Sequence, residues 1–461
     1  MKMITRRGLF LLVLVIAFLG GLGFLTYSLV TQGNQWVMKP YNSHVYYNGE
    51  LTGAGKITDC NGRSLAETVD GQREYNDSIT TRKATLHAVG DTAGFISSGV
   101  QNVYEAKLTG YNLLTGIYSA ANGGSNDMEL TLDADVCDVA YEALSDYKAG
   151  CVGVVNYKTG DIVCMVSTPS YDVQNKPSDI DTNPYYEGAY MNRLLSGLYT
   201  PGSTFKIVTA ICAVENIPDI YERTFDCVGE YDPGKGTPIE CNAYHGELNF
   251  KDALAKSCNS AFAQIAIELG PEKLAKTAQQ LGLTSNVTVS GDIISENGRF
   301  FLEKGDADDY IGWTGIGQGD TRIPPIVMLR LVGAIANDGK AVSYNLVNSF
   351  ANKAGKALDF NFTRRETELL DADTAGKIKS MLRYNVEEQY GDYNYEGLNL
   401  CAKSGTAQID EINSNNTAWF VGFMDDDKNP YAFVVMVEKG NSGSQTAGPI
   451  ANKVLQVLVN K

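Results

Sequence analysis

Histidine is scarce in this chain: three residues in 461, at positions 44, 87 and 245. That scatter offers neither a His-based metal motif nor a Ser-His-Asp arrangement, so a catalytic base is expected from another residue type. No two of the nine cysteines (60, 137, 151, 164, 212, 227, 241, 258 and 401) stand in C-x-x-C spacing. This removes the short zinc and redox motifs, and no metal ligand is assigned. Basic residues are also in deficit, 38 against 54 acidic, for a net charge of -16. A phosphate-binding surface needs the opposite balance, so nucleic acid is excluded as a partner, while a local basic pocket is not. Internal repeats and low-complexity tracts are missing too.

What is present is ordinary globular composition, 44% hydrophobic and 20% charged, in a chain long enough to bury a large core. Cys164 in "DIVCMVS" and Cys212 in "TAICAVEN" read as small buried hydrophobes. Cys227 and Cys241 flank a Gly/Pro-rich loop; free thiols are the simpler reading there, and a pairing stays open.

Positive charge gathers at the start. "MKMITRR" carries Lys2, Arg6 and Arg7, Gly8–Val30 carries no charge, and Lys39 is the next charged residue. A run of this length spans a bilayer core. Its basic flank predicts a cytoplasmic tail (1–7), an uncleaved anchor (8–30) and an extracellular remainder. A cleaved signal peptide would want a small-x-small site, and none stands near Val30–Gly33.

Residues 31–125 are rich in Gly, Asn, Thr and Tyr, with short strand-like runs, and "AANGGSND" (120–127) reads as a linker. "LTLDADVCDVAYEALSDY" predicts a strand and then an amphipathic helix. "CVGVVNYKTGDIVCMVS" predicts a hairpin around its Lys-Thr-Gly-Asp turn. Helices are expected from about 203 to 340, then strands at "AWFVGFM" and "YAFVVMVEKG", and a last helix at "GPIANKVLQVLV". Strands at both ends with helices between them predict an α/β domain whose sheet is closed by distant segments.

The chemistry centres on "LYTPGSTFKIVTA". Ser203 and Lys206 stand three apart at a helix start, on one face and at the positive end of the dipole. A serine there caps a helix in the plainest reading. It is also where an alkoxide is stabilised, and a lysine serves as base once burial lowers its pKa. A second S-x-x-K, Ser145 to Lys148, sits at a helix C-terminal end, where the dipole has the wrong sign. Downstream come Ser257-Cys258-Asn259 and Lys403-Ser404-Gly405-Thr406. The first offers a proton relay and an amide-binding Asn, the second a positive charge, two hydroxyls and a close-approach glycine. S-x-N recurs at Ser343–Asn345 and Ser414–Asn416, and K-T-G at Lys158–Gly160, so the ordered set carries the weight. S-x-x-K, S-x-N and K-S/T-G in this order mark penicillin-binding proteins and class A β-lactamases.

The chain resembles the class B penicillin-binding proteins, monofunctional peptidoglycan D,D-transpeptidases. The likeness runs from 128 to 461 through "NRLLSGLYTPGSTFKIVTA", "YHGELNFKDALAKSCNSAFAQIAIELG", "GIGQGDTRIPP", "AKSGTAQ" and "AWFVGFM". Upstream, "GAGKITDCNGRSLAET" is similar to the family's pedestal motif, with Ala54 and Cys60 where arginine is usual. The resemblance implies a penicillin-binding/β-lactamase-like α/β fold, an antiparallel sheet flanked by helices (126–461), behind an N-terminal β-rich pedestal or dimerisation-like domain (31–125). It implies Ser203 as nucleophile, Lys206 as base, Ser257 as proton relay, and Asn259 and Lys403 as further catalytic groups. Ser404, Gly405 and Thr406 would bind substrate, and the N–H groups of Ser203 and Thr406 would form the oxyanion hole. No metal or organic cofactor is implied. Implied partners are stem peptides, β-lactams, the cell membrane and a polymerase or glycosyltransferase of a cell-wall synthesis complex. A D,D-carboxypeptidase differs only in the acceptor. A soluble β-lactamase needs neither the anchor nor the segment before the catalytic domain, and a β-lactam sensor needs a cytoplasmic signalling part.

Overall fold

The computed structural model describes residues 6–39, 41–42, 45–47, 50–51, 53–112, 116, 124–358, 364–408 and 416–461. His44, residues 120–123 of the linker-like stretch and Ser414 lie outside them. The apolar N-terminal run forms one exposed helix, Arg6–Val37, long enough to cross a bilayer. It continues past the expected end at Val30 through the polar residues Thr31–Gln35, to just short of Pro40, which disfavours helix at Lys39.

Two sheets organise the rest. The first is five-stranded and antiparallel, in the order 400–407, 417–424, 431–438, 149–156, 162–168. The predicted hairpin and the two C-terminal strands therefore meet as expected: Tyr431–Glu438 pairs with Ala149–Asn156 along its whole length. Thr417–Met424 is buried at every position, the signature of a strand covered on both faces. Pro325–Ala336 packs on this strand and on Tyr431–Glu438, while Ala134–Leu144 and Gly448–Val459 pack against one another and on the sheet. Gly150 lies under Leu144 and Gly153 under Leu329. Three apart on a strand, they face opposite sides, so helices cover both faces.

The second sheet has six strands, in the order 357–358, 347–352, 126–130, 57–58, 64–69, 72–75. The pedestal-like motif makes its central turn: Asp59 accepts from the N–H groups of Asn61 (3.0 Å) and Arg63 (2.7 Å), and its other oxygen accepts from Ala134 N (3.2 Å). Where an arginine was expected at position 54, buried Arg73 reaches in and donates to the carbonyls of Ala54 (3.2 Å) and Gly55 (2.6 Å). Residues 347–358, distant in sequence, complete this sheet, and one apolar core runs continuously through both sheets.

Candidate active site

Ser203 lies in a single 3₁₀ turn, Gly202–Phe205, that feeds directly into the helix Lys206–Asn216. Its expected role as a helix cap goes unused: no side chain caps this end, and Thr204 Oγ1 instead donates to the Pro201 carbonyl (2.8 Å). The Ser203 hydroxyl is left for Lys206, whose Nζ lies 3.1 Å away.

Lys206 is 0% exposed and makes two short bonds, to the Ser257 carbonyl (2.7 Å) and Asn259 Oδ1 (2.7 Å), with Ser257 Oγ at 3.3 Å. Lys403, equally buried, donates to Ser257 Oγ (3.0 Å) and the Ser404 carbonyl (3.0 Å). All three sequence elements therefore converge on Ser257, whose backbone takes the left-handed conformation at φ 55°. Among the described residues, neither lysine ion-pairs with a carboxylate; their partners are neutral. Burial without a counter-charge disfavours the ammonium. It lowers the Lys206 pKa to about 8. Lys403 is pushed well below its ordinary value by burial and then by the Lys206 charge.

The strand Leu400–Ala407 is a sheet edge, paired on one side only. Ser404 N points off that edge and donates to the Tyr390 hydroxyl (2.8 Å). Antiparallel alternation then directs Thr406 N outward on the same side. This edge meets the Gly202–Phe205 turn closely: a Cβ on Gly405 would stand 2.8 Å from the Pro201 carbonyl and 3.0 Å from Thr204 N. Gly202, at φ 53°, faces the Thr406 carbonyl in the same way. A cleft of about 440 Å³ opens here, lined by Ser203, Ser257, Asn259, Ser404 and Thr406.

The decoys fall elsewhere. Ser145 ends a helix and donates to the Glu142 carbonyl (2.7 Å), and Lys148 pairs with Glu187 (2.7 Å). Lys158–Gly160 is the hairpin turn, the Lys158 and Thr159 N–H groups held by Asn156 Oδ1 and the Gly160 N–H by the Asn156 carbonyl. Ser343 accepts from Arg365 N (2.8 Å) and does not line the cleft. The motifs give no sign of Tyr390, whose hydroxyl also lies 3.0 Å from Ser404 Oγ. They also give no sign of Trp313 and Gln318, which line the cleft beside Ser203. The "GIGQGD" stretch had a visible tie to the family but no role; its Gly317 carbonyl accepts from Gly202 N (3.0 Å) and steadies the turn.

Residues 150–456 match the family described as the penicillin binding protein transpeptidase domain, well over half of the chain. The chain belongs to that family. Among curated relatives, the peptidoglycan D,D-transpeptidase PbpA of Mycolicibacterium smegmatis is 24% identical over 475 residues, 92% of this chain and 92% of the relative. Stage V sporulation protein D of Bacillus subtilis is 26% identical over 348 residues, 71% of this chain and 52% of the relative. Among solved structures, penicillin-binding protein A from M. tuberculosis, as a ceftriaxone acyl-enzyme complex, superposes with a TM-score of 0.76 at 22% identity, covering 87% of this chain and 97% of that one. The D,D-transpeptidase domain of a peptidoglycan glycosyltransferase from Eggerthella lenta gives 0.75 at 25%, covering 88% and 98%. The chain is thus a class B penicillin-binding protein, as the resemblance implied, with the α/β fold expected of one.

Proposed function

We propose that this penicillin-binding protein is a membrane-anchored serine D,D-transpeptidase that cross-links peptidoglycan stem peptides. The observation that carries this reading is the buried Lys206 amine, held by two carbonyl acceptors and facing Ser203. A neutral amine has two N–H groups. The Ser257 carbonyl and Asn259 Oδ1, both pure acceptors at 2.7 Å, take them, which turns the lone pair toward the Ser203 hydroxyl.

Lys206 then removes the Ser203 proton as Oγ attacks the penultimate D-Ala carbonyl. The Ser203 and Thr406 N–H groups hold the oxyanion, each donor of this kind contributing about 10²–10³ in rate. Ser257, between the two lysines, passes the proton to the departing D-Ala nitrogen. The C–N bond breaks as the Ser203 ester remains. The amine of a second stem peptide attacks the ester carbonyl and gives a proton to Lys206, which passes it to Ser203 Oγ (3.1 Å) as the acyl C–O bond breaks. Asn259 orients the donor peptide. Lys403, Ser404 and Thr406 grip its terminal carboxylate, and Gly405 lets its backbone lie against the strand. A β-lactam mimics the D-Ala-D-Ala end and acylates Ser203 in the same way. Residues 31–125 serve as pedestal to the transpeptidase domain of 126–461. Lys2, Arg6 and Arg7 keep the tail cytoplasmic and the catalytic domain outside, where a cell-wall glycosyltransferase supplies the strands to be joined.

A fluorescent penicillin is expected to label the purified chain covalently, with an adduct lasting many minutes in gel fluorescence. Rapid release of hydrolysed drug would favour a β-lactamase instead. Gly405→Ala forces the edge strand off the nucleophile turn. Labelling by this variant is expected to slow by about 10²-fold, with a melting temperature lowered by the backbone clash.

A further inference from the structure

Three cysteines and a histidine spread over 32 residues of sequence come together beside the catalytic centre. The sulfurs of Cys227, Cys241 and Cys258 and a ring nitrogen of His245 all lie within 4.8 Å of one another. In sequence these residues form no C-x-x-C pair and the histidines are scattered, a pattern that predicts no metal ligation. Folding removes that objection. Two short hairpin pairings, Glu230–Tyr231 with Ile239–Glu240 and Thr224–Cys227 with Gly246–Asn249, bring Cys227, Cys241 and His245 against Cys258, the N-cap of the helix Asn259–Gln280.

We propose that Cys227, Cys241, His245 and Cys258 form a tetrahedral zinc site that braces the Ser257-Cys258-Asn259 motif. Zn–S bonds of about 2.3 Å and a Zn–N bond of about 2.0–2.1 Å in tetrahedral array require S···S near 3.8 Å and S···N near 3.5 Å. Cys241 Sγ to Cys258 Sγ is 3.8 Å, and His245 Nδ1 lies 3.5 Å from both Cys227 Sγ and Cys241 Sγ. All nine cysteines are free, so no disulfide competes for these sulfurs. The environment suits thiolates: Asn259 N donates to Cys241 Sγ (3.2 Å) and Ala261 N to Cys258 Sγ (3.4 Å), both from the first turn of the helix Asn259–Gln280. Such N–H donors and a helix N-terminus stabilise negative sulfur. Three thiolates and a neutral imidazole are a ligand set that favours zinc over harder cations, and each thiol gives its proton to solvent on binding.

The local fold needs a staple. Between Val228 and His245, Ile239 is the one buried residue, too little apolar surface to hold this excursion in place. Yet the excursion contacts the machinery: Asn259 Nδ2 donates to the Glu240 carbonyl (2.9 Å), and Cys258 sits between two residues that hold Lys206. A metal bonded to Cys258 would fix both neighbours. The ligation itself stands apart from the transpeptidase reading, whereas the bracing role rests on it.

The test is the metal content of the full chain, purified without chelator and measured by plasma mass spectrometry. About one zinc per chain is expected, retained in Cys60→Ser and lost in both Cys227→Ser and His245→Ala. Replacement by cobalt in the unaltered chain, which needs no variant to fold, is expected to give the intense visible bands and the near-ultraviolet thiolate band of a tetrahedral site. Zinc at background level, or a disulfide among Cys227, Cys241 and Cys258 in the chain mapped without reduction, would overturn the site. Stripping zinc is expected to slow acylation by fluorescent penicillin about tenfold or more. Bound zinc whose removal leaves that rate unchanged would overturn the brace while leaving the site.

Discussion

Ser203→Ala is expected to abolish covalent labelling by fluorescent penicillin, and Ser145→Ala to leave it unchanged. Both serines precede a lysine by three residues, so the pair of variants separates spacing from environment. Ser203 opens a helix beside a buried amine at 3.1 Å, and in the proposed mechanism its oxygen becomes the ester. Ser145 closes a helix, is exposed, and its lysine is occupied by Glu187. In-gel fluorescence of the two purified variants reads the difference directly. Labelling that survives in Ser203→Ala would remove the nucleophile from the account.

Lys206→Ala is expected to slow acylation by about 10²–10⁴-fold, the usual contribution of a positioned base. Lys206→Arg is expected to be nearly as slow, because a guanidinium keeps the charge and never gives up its proton. Rescue by arginine would mean that Lys206 acts through charge alone. The pH profile gives the same distinction. A base works when neutral, and the Lys206 pKa is lowered to about 8. The second-order rate of acylation should therefore climb with pH through that value and level off above it, being about 100-fold below the plateau two pH units under the pKa. Burial lowers the Lys206 pKa, and negative charge on Cys258 and Cys241 opposes it. A wild-type rate flat between pH 6 and 9 would contradict the assignment.

Much of this was legible in the chain because the signals are local. The hairpin at 149–168 announces itself through two β-branched runs around Asn156–Asp161. The turn that carries the proposed nucleophile is marked by Pro201-Gly202 and by the Ser203–Lys206 spacing. Motif order then sorted Ser257 and Lys403 from their decoys. What escaped is non-local. Residues 347–358 join a sheet whose other strands lie between 57 and 130, and nothing in "VNSFAN" names that partner. Tyr390 stands among three other tyrosines in "EEQYGDYNYEG" and "LRYN", and only the fold brings it to Ser404 N. Ser203 fits the cap preference by residue type, yet the helix enters through a 3₁₀ turn that leaves its hydroxyl to Lys206. The Cys/His cluster was hidden for the same reason: its spacing is set by hairpin pairing instead of by one short loop.

The most direct test of the central claim is a donor–acceptor exchange assay. The purified chain would be incubated with a synthetic stem peptide ending in D-Ala-D-Ala and an amine acceptor, with products followed by mass spectrometry. The account predicts loss of one D-Ala together with incorporation of the acceptor, and neither in Ser203→Ala. Release of D-Ala with water alone as acceptor, or exchange that persists without the Ser203 hydroxyl, would contradict it.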